Sequence, residues 1–208
     1  MNRRLTTTLI VLWAVAVLSG MIVLTHYNLR PGRAAAAPAA WPAPPGLMRP
    51  PGRPALVMIA HPKCACTRSS LDELALLLTH CPGRASTTVI FVRSPGAGPD
   101  WDDTDLHRHA QSIPGVQVLT DDGGTVAERF GAWTSGQVLL YDANGRLRFS
   151  GGITAGRGHS GDNAGRSALE AFLRGTPARA STPVFGCDLF SPAVGPGRRS
   201  EVALRCRN

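Results

Sequence analysis

Residues 54–80, PALVMIAHPKCACTRSSLDELALLLTH, constrain the fold more tightly than any other stretch of the chain. Ala55 to Ala60 is a short apolar run with the length and β-branched content of a buried strand. Cys64 and Cys66 follow at once, and then Leu71, Leu74, Ala75 and Leu78 recur at the i, i+3, i+4, i+7 spacing of one helix face. The segment reads as strand, dithiol loop, helix. Free N–H groups at a helix start favour a thiolate, so a cysteine placed there is a candidate nucleophile. Thr67 is a candidate N-cap and Ser70-Leu-Asp-Glu73 fits a capping box. Either start leaves both cysteines in the turn before the helix. A Cys64–Cys66 disulfide would then be strained, hence reducible and suited to catalysis or regulation rather than to structure. The competing reading of the pair is a zinc half-site, for which no second C-x-x-C or Cys/His pair is present.

The net charge of +8 resembles a nucleic-acid signal until it is located. Residues 1–53 carry six arginines and no acid, residues 54–175 carry eleven basic and twelve acidic residues, and residues 176–208 add five arginines against Asp188 and Glu201. The central part is near neutral, whereas recognition of DNA or RNA wants the charge on a folded face. Nucleic acid is therefore rejected as the main partner.

Four segments follow along the chain. Residues 1–25 read as a transmembrane anchor, because Leu5 to Thr25 is uncharged, largely apolar and long enough to span a bilayer. A cleaved signal peptide is the alternative, and the alanines at 34–37 and 39–40 come late for its cleavage site. Five cysteines beside an anchor suit an oxidising, extracytoplasmic (periplasmic) compartment. Residues 26–53, with eight prolines between Pro31 and Pro54, read as a semi-extended tether. Residues 54–175 form the domain. Strands are expected at 55–60, 87–93, 116–119, 137–141 and 146–149, and helices from about Thr67 and over 101–113, 125–130 and 164–174. The Asn144-Gly145 pair marks a hairpin. Residues 176–208 read as a tail.

This order, β-α-β-α-β-α-β-β-α, resembles the thioredoxin-like superfamily, in particular its membrane-anchored TlpA/ResA-like branch. HPKCACTRS, TSGQVLLYD, GGITAGRGHSGDNAG and TPVFGC are together similar to the RedB-like proteins, over about residues 54–190. The resemblance implies an α/β fold with a central mixed sheet flanked by helices, and redox chemistry at Cys64 and Cys66. Two departures stand out. The family's usual dithiol is C-x-x-C, and Thr67 stands where its second cysteine would be. Its cis-proline aligns with Gly136, so that Ser135 and Gly136 would shape the substrate groove.

In this topology the last strand runs parallel to the first, which brings the loop Gly151–Asn163 to the edge that holds Cys64. His159 is then a candidate for thiol proton transfer or metal binding, with Asp162 to orient it. The plainer alternative is a solvated His159, with Asp162 or Asn163 capping the last helix. His61 is either a cation that stabilises the Cys64 thiolate or an exposed loop residue. Cys187 is a third thiol, a partner for Cys206, or neither. Cys81 is a buried, inert residue.

The function expected is a membrane-anchored thiol–disulfide oxidoreductase. Cys64 attacks a protein disulfide and Cys66 resolves the mixed disulfide, with no organic cofactor. Its partners are a protein thiol or disulfide substrate and an electron donor. The alternative is a copper-binding or copper-delivery protein of the same fold, using Cys64, Cys66 and His159 as ligands.

Overall fold

The computed structural model describes residues 3–33, 35–101 and 103–190, so Cys206 and Asp102 lie outside the described residues. It divides into two units, residues 1–30 and 31–208. In the first, helix α1 (Arg3–Leu29) is long and apolar enough to cross a membrane and buries none of its residues.

In the second unit, strand β1 (Ala55–Ala60) lies at the centre of a five-stranded sheet. It pairs in parallel with β2 (Ser86–Arg93), which pairs in parallel with β3 (Val116–Asp122). On its other side β1 pairs antiparallel with β4 (Gln137–Tyr141), which pairs antiparallel with β5 (Leu147–Gly152). The sheet order β3-β2-β1-β4-β5 gives the central mixed sheet that was expected, and two reversals make β5 parallel to β1 as expected. The turn between β4 and β5 is fixed by Asp142, whose Oδ1 accepts the Asn144 and Arg146 amides.

Alternation along the strands divides the core between the two faces of the sheet. Leu56, Met58, Phe91 and Val138 meet Leu71, Leu74 and Leu77 of α2 (Ala65–His80), Leu106 of α3 (Asp105–Ser112) and Leu169 of α5 (Ala164–Leu173). Val57, Ile59, Leu139 and Tyr141 meet Ala127 of α4 (Thr125–Arg129) and residues from two irregular segments, Trp41 and Leu47 from one and Leu189 and Phe190 from the other. One face is covered by helices, the other by a short helix and two straps.

The first strap is the segment expected to be a free tether. Ala40 bridges Arg146, the Leu147 amide donates to the Ala39 carbonyl, and the Tyr141 hydroxyl donates to the Pro38 carbonyl. Trp41 packs edge-on against Phe130 and Tyr141. Residues 31–53 therefore lie on the domain, because the apolar face left open beside α4 needs cover. The second strap lies within the expected tail. Ser181 bridges Ser150, Asp188 bridges Thr134, and Val184, Phe185 and Leu189 are buried.

Two local expectations change. Helix α2 begins at Ala65, with Cys64 as its extended N-cap residue (φ −94°, ψ 117°), so Thr67 and Ser70 lie inside the helix. A cap contributes about 1 kcal/mol, whereas each buried leucine contributes about 1.5–3 kcal/mol. Burial of Leu71, Leu74 and Leu77 fixes the helix, and the Thr67 and Glu73 side chains are free for tertiary bonds. The helix expected over 101–113 is a 3-10 turn (Pro99–Trp101) followed by α3, capped by Thr104, whose hydroxyl accepts the His107 amide.

Candidate active site

The turn between β1 and α2 is built on His61. Its amide donates to Ser135 Oγ, its carbonyl accepts the Cys64 amide and the Thr67 hydroxyl, and its Nδ1 accepts the Lys63 amide. The Thr67 and Ser135 hydroxyls are 2.9 Å apart and fully buried. Thr67 thus acts as a tie between α2 and the start of β4. The C-x-C straddles the helix start: Cys64 precedes it and Cys66 is its second residue. The two cysteines do not share a pre-helical turn, which corrects the expectation from the sequence.

Cys64 is buried, at 1% exposure. Its Sγ lies 2.9 Å from Cys187 Sγ, beyond the ~2.05 Å of a disulfide bond and within thiol hydrogen-bond range. The Cys64 thiol is held far below the ordinary thiol range. The Cys187 thiol contributes most and the Cys66 thiol next, burial opposes them, and the Cys187 and Cys66 amides add to the shift. Cys64 makes no side-chain capping bond of normal geometry, so the stabilisation is chiefly thiol to thiolate. Cys66 moves the other way. Its S–H is held by the Cys64 thiolate, and burial and the Cys64 charge push it further up, while Arg157 and the Gly158 amide pull it slightly down. The cluster thus favours the thiolate at Cys64 and the thiol at Cys66.

His61 takes neither of its expected forms. It is half-buried and packs edge-on against Trp101, with Lys63 Nζ 4.1 Å above the same indole ring. Burial lowers its pKa more than the nearby Cys64 raises it, and Nδ1 is already an acceptor. It therefore serves as a neutral brace of the loop.

The loop after β5 comes to the cluster at Gly158, whose amide faces Cys66. His159 is the next residue and is exposed. Asp162 pairs with Arg166 Nη2, and Asn163 caps α5 by accepting the Arg166 amide. Glu73 explains why this loop is fixed. Fully buried in α2, its carboxylate accepts from the Gly161 amide at 2.6 Å, Asn163 Nδ2 at 2.9 Å and Arg166 Nη1 at 2.8 Å.

Ser135 and Gly136, expected to shape a groove, lie beneath the second strap. The Ser135 amide donates to the Cys187 carbonyl at 2.8 Å, and the Leu189 amide to the Trp133 carbonyl at 2.9 Å. Arg157 Nη1 donates to the Gly186 carbonyl at 2.7 Å. A Cβ on Gly186 would lie 2.0 Å from the Ser135 carbonyl oxygen, so only glycine admits this approach. Among the described residues no peptide bond is cis. Gly136 has φ +88°, and a Cβ there would meet Ser70 Oγ at 2.7 Å. Cys81 is buried, with its thiol pushed up by burial.

Glu73, Thr67, Trp101 and Arg157 were not read as site residues in the sequence. Glu73 left a signal as an acid within the leucine-rich helix and Thr67 as the residue in the second cysteine's place, and the capping readings concealed the tertiary roles of both. Among the described residues no three His, Cys, Asp or Glu side chains are grouped to hold a metal ion. The copper set Cys64, Cys66 and His159 is therefore not preassembled.

No protein-family model matches the chain, and no curated protein matches it. Solved structures do. An uncharacterised conserved protein from Geobacillus kaustophilus superimposes with a TM-score of 0.58 at 18% identity, covering 80% of this chain and 95% of that one. A hypothetical protein from Sinorhizobium meliloti 1021 gives 0.56 at 21% identity, covering 80% and 97%. The exposed lipoprotein thioredoxin Etrx1 of Streptococcus pneumoniae overlaps more partially, at 0.40 and 19% identity over 60% of this chain and 85% of its own. At these identities the likeness is one of fold alone.

Proposed function

We propose that the protein is a membrane-anchored, extracytoplasmic thiol–disulfide oxidoreductase in which the Cys64–Ala65–Cys66 motif carries the reactive sulfur. The supporting observation is geometric: Cys64 is the N-cap residue of a sixteen-residue helix with Cys66 in its first turn and Cys187 Sγ 2.9 Å away, and these thiols lower the Cys64 pKa. Cys64 is the nucleophile toward a protein disulfide. Cys66 donates its S–H to the Cys64 thiolate and is the near source of a proton for the departing thiol. His159, exposed beside the Gly158 amide, relays that proton to water. Helix α1 holds the domain at the membrane, and the RedB-like resemblance fits this placement.

The test is disulfide reduction by the full chain in detergent. Cys64→Ser is expected to abolish turnover, with a loss of about 10³-fold or more, because it removes the attacking atom. Turnover within about 3-fold of wild type would overturn the reading. Copper delivery is the second reading, favoured by the two adjacent thiols as soft ligands. Tight Cu(I) binding lost in His159→Ala, with thiol exchange intact, would put copper first.

A further inference from the structure

Cys64 stands at the start of α2 with a thiol on either side, yet it is closed off by the chain itself. The covering element is the strap 181–190, which pairs with residues 133–135 through two backbone bonds, from Ser135 to Cys187 and from Leu189 to Trp133. An extended peptide presenting a cysteine to Cys64 would use this same backbone. The strap does so in cis, with Cys187 Sγ 2.9 Å from Cys64 Sγ.

The two thiols beside Cys64 differ in what a bond to it would require. Cys66 lies in the first turn of α2 and its S–H meets the Cys64 thiolate, but a disulfide between residues only two apart closes a small ring that strains the helix start. Cys187 requires only that two facing sulfurs close from 2.9 Å to ~2.05 Å. Around Cys187 the strap is held by backbone bonds and by Arg157, with Val184, Phe185 and Leu189 buried as anchors on either side, so the displacement is confined to the stretch Gly186–Asp188 and leaves the sheet undisturbed.

We propose that Cys187 is the resolving thiol, carried on a displaceable strap that occupies the place of the substrate's cysteine segment. The proposal rests on the oxidoreductase reading. When the strap lifts, the Cys64 thiolate attacks a substrate disulfide R–S–S–R′. The Cys64–S–S–R bond forms, the substrate's S–S bond breaks, and R′S⁻ leaves. Cys66 gives its proton to R′S⁻, which leaves as R′SH, and Cys66 is reprotonated from water. The strap then returns and Cys187 attacks the Cys64 sulfur. The Cys64–Cys187 disulfide forms, the Cys64–S–S–R bond breaks, and RS⁻ takes the Cys187 proton and departs as RSH. The substrate disulfide gains two electrons and the chain loses two. A dithiol donor reverses the oxidation by exchange at the Cys64–Cys187 bond and leaves as a disulfide.

The experiment uses the full chain in detergent, reduced and then exposed to oxidised glutathione, followed by acid quenching, alkylation and non-reducing peptide mapping. Wild type is expected to give a Cys64–Cys187 linkage as its main product, and Cys66→Ser should still form it. In both Cys187→Ser and Cys187→Ala, the Cys64–glutathione adduct should persist at least 10-fold longer, with the unfolding midpoint reporting that the fold is kept. A main product of Cys64–Cys66 or Cys187–Cys206, or clearance of the adduct at the wild-type rate without Cys187, would overturn the assignment and leave the oxidoreductase reading standing. Failure of Cys64 to take up glutathione in every variant would remove both.

Discussion

The loop 153–163 and the strap 181–190 reach the same sulfur cluster, and they are held there by different forces. The loop is tied to α2 by the buried Glu73 carboxylate and its three donors, one of them the Arg166 guanidinium. Removing one partner of such a pair leaves an uncompensated buried charge, so the loop has little freedom to leave. The strap is anchored by the buried Val184, Phe185 and Leu189, but at Cys187 itself it relies on backbone pairing with 133–135, a hydrogen bond from Arg157 and a glycine that fits against Ser135. Each intramolecular hydrogen bond of that kind is worth about 1 kcal/mol net. One flank of Cys64 is built to stay and the other to exchange.

The largest expected effect comes from breaking the fixed flank. Glu73→Ala leaves the Gly161 amide, Asn163 Nδ2 and Arg166 without their acceptor, and should destabilise the domain by about 3–5 kcal/mol in urea unfolding. A loss below about 1 kcal/mol would show that the loop is not pinned by charge. The movable flank should respond differently. Gly186→Ala places a methyl against the Ser135 carbonyl and should cost about 1–3 kcal/mol or lift the strap altogether. If the comparison holds, Cys64 alkylation accelerates at least 10-fold in this variant while α5 keeps its hydrogen-exchange protection. Equal loss of protection in both segments would merge the two flanks into one unit.

A third effect concerns pH and sharpens the roles of the two C-x-C thiols. Cys64 is depressed in the folded protein, so its contribution is fully present above the unfolded thiol value of about 8.5 and is lost progressively as pH falls toward the folded value. Cys66 is raised, so its contribution is present below about 8.5 and is lost as pH rises further. The stability of the reduced chain relative to Cys64→Ser should therefore rise from about pH 7 to 8.5 and then stop rising. Thiolate absorbance should persist in wild type at about pH 7 and vanish in Cys64→Ser. A flat stability difference across that range would mean that Cys64 titrates as an ordinary thiol.

These outcomes bear on what the sequence made legible. Strand β1, the leucine face of α2 and the Asn144-Gly145 hairpin are local patterns, and with the strand directions they were enough for the sheet and for the approach of loop 153–163 to the cysteines. The start of α2 was misplaced because Thr67, Ser70 and Glu73 have the composition of a cap while their side chains serve tertiary contacts. The straps were illegible for another reason. Trp41 and Leu47 stand alone among prolines and alanines, with no period to announce a buried face. Cys187 carried a name as a third thiol, but its partner is 123 residues away and only the folded chain brings them together.

The straps have a further consequence for how copies of this protein coexist on a crowded surface. Strand β5 is the last of its sheet, and an open last strand is a template on which another molecule can add its own. Here Ala39 and Ala40 engage Leu147 and Arg146, while Ala180 and Ser181 engage Ser150. Both segments carry prolines close by, at Pro38, Pro42, Pro177 and Pro183, which have no N–H with which to extend the ladder outward. The border of the sheet is sealed by strands that cannot themselves be copied. A strap released as far back as Ala180 would reopen half of that seal, so the opening proposed for a substrate would also expose this border to a neighbouring copy.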